Sequence, residues 1–330
     1  AIPEVLDDLA SLLPDGDRLP ARLAQALRQS GLGPAEVEEL LEAVTWGTLP
    51  RAERLQRLLE KDRLAEIPLT KVLALLRELL EAGDIPGFLR LLNRLGEDLA
   101  LPVVERRTEV AGGMVQIAKW THAPGMPDGV MDVLVGILCR AWQGERDPEV
   151  HGQLSQALEV LIWFDVARGR ARQAVARLDA LAESSREPAW KATSLEELLQ
   201  RLAAPGRMAH LLTILHALDK AEAATQLHPW LKRLAGPAAD FLVERLADEG
   251  DRLRRARLLD ALRACGQTAE APLLEALRAG EWFVVRNALI VLGEVAGPAH
   301  LPQVLPLLRH PDHRVVRAAI RTVARLGGAQ

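Results

Sequence analysis

The sequence predicts an all-α fold, a right-handed α-solenoid of stacked antiparallel helical hairpins. Three observations carry that prediction. One helical hairpin is written about three times over in the last ninety residues, at 240–266, 271–297 and 301–327. Equivalent positions recur at a step of 31: Arg255, Arg286 and Arg317; Leu246, Leu277 and Leu308; Leu258, Leu289 and Ile320. Finally, almost every segment follows a 3.6-residue apolar period, and none reads as a strand. A repeat of this length with two helical patterns per unit means hairpins that complete one another's core by stacking.

Within the last copy, Leu301, Val304, Leu305 and Leu308 give the first helix an apolar face. Val316, Ile320 and Val323, at steps of four and three, are the expected core face of the second. A first helix ending near Leu308, a Pro311-Asp312 turn and Val315-x-Arg317 opening a second helix that closes at Leu326-Gly327 resemble a HEAT repeat, most closely the short bacterial kind. The resemblance is strong over 267–327, fair over 236–266 and patchy before that. It implies a scaffold for other macromolecules and no shared chemistry. It also implies that the Arg opening each second helix bonds a turn carboxylate in a ladder. Asp312 would serve Arg317, Glu281 would serve Arg286, and Asp248 or Asp251 would serve Arg255. The guanidinium fork suits a carboxylate.

The N-terminal part reads as helices at 3–13, 18–30, 34–45, 50–61, 68–82, 84–96 and 102–121. Pro14-Asp15-Gly16-Asp17 is a turn, without the further ligands of a calcium loop. Asp84 is the expected N-cap of its helix, with Pro86 in the first turn. Gly112-Gly113 marks either a weak point in the helix or a close helix–helix contact. The 122–129 stretch, with two Pro and two Gly, is a loop and a candidate joint. Helices follow at 130–142, about 151–164, 170–183, 193–203, 206–219, 221–234 and 237–247. Asp147-Pro148 copies the character of the Pro311-Asp312 turn, with His151 near the Arg place. Thr193-Ser194 reads as a helix cap. Residues 183–188 form a second candidate boundary. The expected organisation is therefore an N-terminal helical array (1–122), divergent hairpins (130–235) and HEAT-like repeats (236–330).

Composition agrees with a packed helical chain: 330 residues, 49% hydrophobic, 26% charged, and no Tyr. The net charge is −4, unevenly spread. Residues 1–50 carry −6, whereas 251–330 hold twelve Arg, no Lys and seven acids, for +5. That basic tail reads first as a solvated face with structural Arg, and second as a surface for an acidic partner. Cys139 and Cys265 have no metal or redox spacing and are expected as free thiols of a reducing, cytoplasmic compartment. No apolar run reaches membrane-span length, and the start lacks a signal-peptide pattern. The chain opens on Ala1, as a processed product or a fragment would.

No catalytic signature is present: no G-x-S-x-G, no phosphate-binding G-x-x-x-x-G-K-[ST], and no G-x-G-x-x-G after a strand. His300, His310 and His313 cluster, but His310 and His313 straddle a turn and are expected to be solvated there, not to ligate metal. No cofactor and no metal are expected. Unless the ladder uses them all, the second helices offer a basic strip: Arg286, Asn287, Arg317 and Arg321, with Arg314 and Arg325 nearby. Trp282 takes the turn place that His313 takes one repeat later. It is read as a plug across the turn or, exposed, as a partner anchor. The leading functional expectation is a non-catalytic protein-interaction scaffold whose concave, locally basic surface meets an acidic partner. The alternative is nucleic-acid binding, since some proteins of this resemblance are DNA glycosylases. Net negative charge and the absence of a base-recognition motif weigh against it. An enzyme like the bilin attachment enzymes that short bacterial HEAT repeats resemble has no residue arguing for it.

Overall fold

A computed structural model describes Gly33 and residues 46–328, apart from 48, 61–63, 122–125, 186–188 and 235. The helices expected at 3–13, 18–30 and 34–45, and the turn at 14–17, lie outside the described residues. All regular structure among the described residues is helical. The chain forms two compact units, Ala1–Pro102 and Val103–Gln330.

In the first unit, α1 (Arg51–Glu60), α2 (Leu69–Glu81) and α3 (Ile85–Glu97) pack pairwise. Leu58, Leu75, Leu76, Leu79, Leu91 and Leu92 are fully buried between them. A fork from Arg54 to Glu78, at 3.0 and 2.6 Å, ties α1 to α2. Gly83 closes α2 with φ +71°, a left-handed conformation that a side chain would strain. Asp84 then caps α3 by accepting from the Gly87 N–H at 2.9 Å, with Pro86 in the first turn. This is the cap its sequence calls for, because that N–H has no partner within the helix.

The second unit opens with α4 (Val104–Trp120), α5 (Asp128–Gly144) and α6 (Pro148–Ala167). The helix runs unbroken through Gly112-Gly113, and α4 packs along α6, with Gly112 facing Gln153. Of the two readings of the glycine pair, close helix contact is the one found. The chain thus divides before α4, although the sequence groups that helix with the N-terminal array. A Cβ on Gly112 would meet the Gln153 side-chain oxygen at 3.4 Å, an ordinary contact.

Helices α7 (Ala171–Ser184), α8 (Ala189–Leu202), α9 (Pro205–Ala217), α10 (Lys220–Gln226) and α11 (His228–Leu234) follow. Two expectations change here. The single helix expected at 221–234 is broken at Leu227, because Pro229 has no N–H for the ladder. Ser194 does not cap a helix; it lies within α8 and bonds the His151 ring across 3.1 Å. His151, expected near the place of the helix-opening Arg, is fully buried. Trp142 and Trp190 flank it at centroid distances of 4.2 and 4.7 Å. Beside it, buried Lys191 donates to the Gln143 carbonyl at 2.6 Å, supplying a cation to the last turn of α5.

The last three hairpins are α12 (Gly236–Asp248) with α13 (Arg252–Cys265), α14 (Glu270–Ala276) with α15 (Trp282–Val295), and α16 (Leu301–Val304) with α17 (His313–Gly327). α13 packs on α15 and α15 on α17, while α12 packs on α14, so the hairpins stack in two layers. This is an α-solenoid. α16 is short and continues as a 3-10 turn at Leu305–Arg309, since Pro302 and Pro306 interrupt its N–H ladder. The buried face of α17 is Val315, Ala318, Ala319, Thr322 and Leu326. The expected core face is corrected: Ile320 is 54% exposed, and Val316 and Val323 are half-buried.

Candidate interaction site

The second helices α15 and α17 meet where Gly293 faces Thr322. A Cβ on Gly293 would lie 3.3 Å from the Thr322 Cα. Thr322 Oγ1 donates to the Leu289 carbonyl at 2.7 Å, fixing the two helices in register. Above that contact lies a cavity of about 250 Å³ lined by Arg286, Ile290, Glu294, Arg314, Arg317, Ala318, Arg321, Thr322 and Arg325. Arg317, Arg321 and Arg325 follow one another at steps of four on α17, so they share a face. Arg286 and Glu294 come from α15. Four of the six residues proposed from sequence, Arg286, Arg314, Arg317 and Arg321, are therefore brought together here.

The other two are not. Asn287 is 3% exposed, and its Oδ1 accepts from Arg286 at 3.3 Å. As a partner contact it is corrected, because its place in the 31-residue register is the buried place of Ala318. Trp282 does not line the cavity. It is half-buried at the start of α15, edge-on to Phe283 at 5.8 Å. The Arg314 guanidinium stacks over its ring, 3.2 Å from the centroid. Trp282 thus steers Arg314 instead of offering a bare anchor.

The expected arginine ladder is also corrected. Asp312 does not pair with Arg317. It caps α17 through the Arg314 N–H at 2.8 Å and holds the Arg314 side chain at 3.0 and 2.7 Å. The Arg314 hydrogen bonds keep the Asp312 carboxyl well below the usual carboxylate range. Arg255 donates to the Glu249 and Gly250 carbonyls, at 2.8 and 2.9 Å. Among the described residues, no carboxylate lies within ion-pair distance of Arg286, Arg317 or Arg321.

A ladder does exist, at another register position. Arg263, Glu294 and Arg325 are also 31 apart, and Glu294 takes a guanidinium from each neighbour. Arg325 donates to its Oε1 at 2.9 Å, and Arg263 donates to its Oε2. Burial works to raise the Glu294 carboxyl, but these hydrogen bonds outweigh it, and its pKa lies below the usual value. The 31-residue step that exposed the Arg255 series would have exposed this one too. Its chemistry alternates in sign, so a search for identical residues passes over it.

Two of the three clustered histidines have partners. His300 pairs with Glu270 at 2.8 Å, and the His310 Nδ1 accepts from the Asp312 N–H at 3.0 Å. Both thiols are free: Cys265 is buried, and burial pushes its pKa up to about 12. Cys139 is half-buried, and burial raises its thiol as well. Among the described residues, no helix is long and apolar enough to cross a membrane.

Residues 270–330 match the family model of HEAT repeats. The matched segment spans the last two hairpins. They contain the whole cavity, since every residue lining it lies within that segment. No curated protein matches the chain. Among solved structures, an engineered protein of the Northeast Structural Genomics Consortium is 16% identical, with a TM-score of 0.34, over 97% of this chain and 88% of its own. A designed armadillo repeat protein is 15% identical, with a TM-score of 0.27, over 71% of this chain and 99% of its own. A chain of the Kap95p–RanGDP structure is 14% identical, with a TM-score of 0.27, over 93% of this chain and 50% of its own.

Proposed function

We propose that this protein is a non-catalytic protein-interaction scaffold whose HEAT-like segment presents Arg286, Arg317 and Arg321 to an acidic segment of a protein partner, with Arg314 held by Asp312 on the wall of the same cavity. One observation supports this reading above the others. Arg286, Arg317 and Arg321 are exposed, line one cavity, and have no carboxylate partner among the described residues. A guanidinium used for structure is satisfied at home, as Arg263, Arg314 and Arg325 are. Guanidiniums that share a cavity and have no carboxylate partner repel one another and are stabilised by an anion supplied from outside. The free thiols fit a reducing compartment such as the cytoplasm.

The test is affinity capture from source-cell lysate, with and without nuclease, using wild type and an Arg286→Glu/Arg317→Glu double variant. Both positions are exposed, so the variant is expected to keep its helical circular dichroism. The expected result is a nuclease-resistant partner with an acidic segment, lost from the folded variant. Capture that disappears with nuclease would replace this reading by nucleic-acid binding.

A further inference from the structure

We infer that the cavity between α15 and α17 is a receptor for a phosphorylated side chain, phosphoserine or phosphothreonine, carried by the protein partner. The inference rests on the scaffold reading above and names the chemistry that the site selects.

The charge arrangement carries the argument. Of the five arginines lining the cavity, Arg314 is neutralised by Asp312 and Arg325 by Glu294. Arg286, Arg317 and Arg321 remain, converging from two helices on one space of about 250 Å³. A single carboxylate brings one charge and two oxygens, and would leave two of these cations unmatched. A phosphoryl group brings about two charges and three strong acceptor oxygens in a compact tetrahedron. It can accept charge-assisted bonds from all three guanidiniums at once.

The rest of the lining sharpens the selection. Ile290, Ala318 and Thr322 supply small apolar groups beside the arginines, suited to the Cβ of a phosphoamino acid. Glu294 stands on the same wall, held ionised by Arg263 and Arg325. Its fixed negative charge opposes an anion in the cavity, and the three cations without a carboxylate partner outweigh it. Arginine clusters of this kind are a recurrent means of reading phosphorylated peptides.

The experiment is fluorescence anisotropy with three labelled degenerate peptide pools that differ only at the central residue: phosphoserine, serine or glutamate. A single-stranded oligonucleotide is the fourth probe. The phosphoserine pool is expected to bind at least tenfold more tightly than the glutamate pool, and the serine pool not to saturate. Arg317→Gln and Arg321→Gln, both at exposed positions of α17, should each weaken phosphoserine binding at least fivefold with an unchanged melting curve. Glu294→Gln should strengthen it. Equal binding of the phosphoserine and glutamate pools would overturn this inference and leave the acidic-partner reading standing. So would phosphoserine binding that survives both arginine variants. Failure of both pools, with the oligonucleotide bound through the same arginines, would overturn both. Absence of phosphoserine binding in every case overturns the receptor.

Discussion

Leu289 and Ile320 hold the same place in consecutive repeats, 31 residues apart, yet Leu289 is fully buried and Ile320 is 54% exposed. The pattern extends to their neighbours. Val285 and Leu292 are buried on α15, while the matching Val316 and Val323 on α17 are half-buried. α15 has α17 packed against it, and among the described residues no helix follows α17 to do the same. Burial here is a property of the stack and not of the helix alone.

The two positions should therefore respond differently to the same truncation. Leu289→Ala removes fully buried methyl groups and should cost about 2–5 kcal/mol. Ile320→Ala should stay within about 1 kcal/mol, as an exposed position does. Urea unfolding of both variants, read by circular dichroism, checks the difference. Equal losses would mean that Ile320 is covered in solution.

Gly293 sets the distance between α15 and α17. A Cβ there would stand 3.2 Å from the Thr322 Oγ1 and 3.3 Å from its Cα, and the backbone cannot swing away. Gly293→Val should lower stability by about 1–3 kcal/mol through overpacking. Thr322→Ser keeps the hydroxyl that bonds the Leu289 carbonyl and should be milder. Thermal unfolding of the two variants tests this ordering.

Glu294 links three repeats but stands near solvent, with side chains of Arg263, Glu294 and Arg325 at 34%, 28% and 56% exposure. Such pairs are screened, so Glu294→Gln should cost less than about 1 kcal/mol. Its lowered pKa sets the sign of the pH effect. The contribution is fully present above the unfolded value of about 4.5 and is lost as the pH falls through the lower native pKa. A double-variant cycle of Arg325→Gln with Glu294→Gln, at pH 7 and at successively lower pH below 4.5, should show a coupling that declines as the pH falls.

His151 gives a different pH signature. Burial, assisted by the Lys191 charge, lowers its pKa from 6.5 to about 4. The unfolded chain takes up a proton near pH 6.5, whereas the native ring stays neutral until about pH 4. Protons in that window favour unfolding. Stability from this group is therefore complete above pH 6.5, falls as the pH drops towards 4, and is constant below that. The full change is on the order of 3 kcal/mol. Melting temperatures of wild type and His151→Gln between pH 7.5 and 4 should converge as the pH falls. His216 and His228, also lowered by burial, remain in both proteins and cancel in the difference.

Several local features follow from residue type and spacing alone. The Asp84 cap, the Pro148 and Pro311-Asp312 turns, and the 31-residue step rest on interactions a few residues long, or on repetition. They are legible because backbone N–H groups at a helix start need a nearby acceptor, whatever the rest of the chain does. The convergence of Arg286, Arg317 and Arg321 was legible too, since the repeat register carries Arg286 and Arg317 to one face and the four-residue helical step adds Arg321 to it.

The tertiary structure decided what each register position means. Periodicity marks Val316, Ile320 and Val323 as one face, but whether that face is covered depends on a neighbour. It marks Arg317 as the opener of a helix, but Asp312 pairs with Arg314, because Trp282 of the preceding repeat holds that guanidinium in place. It places His151 near the position of the helix-opening Arg, and two tryptophans from adjoining helices enclose it there. Local hydrogen bonding and repetition are written along the chain. Burial, ion pairing and the choice of which arginines stay free are set between elements far apart in sequence, where distance and desolvation decide the partner.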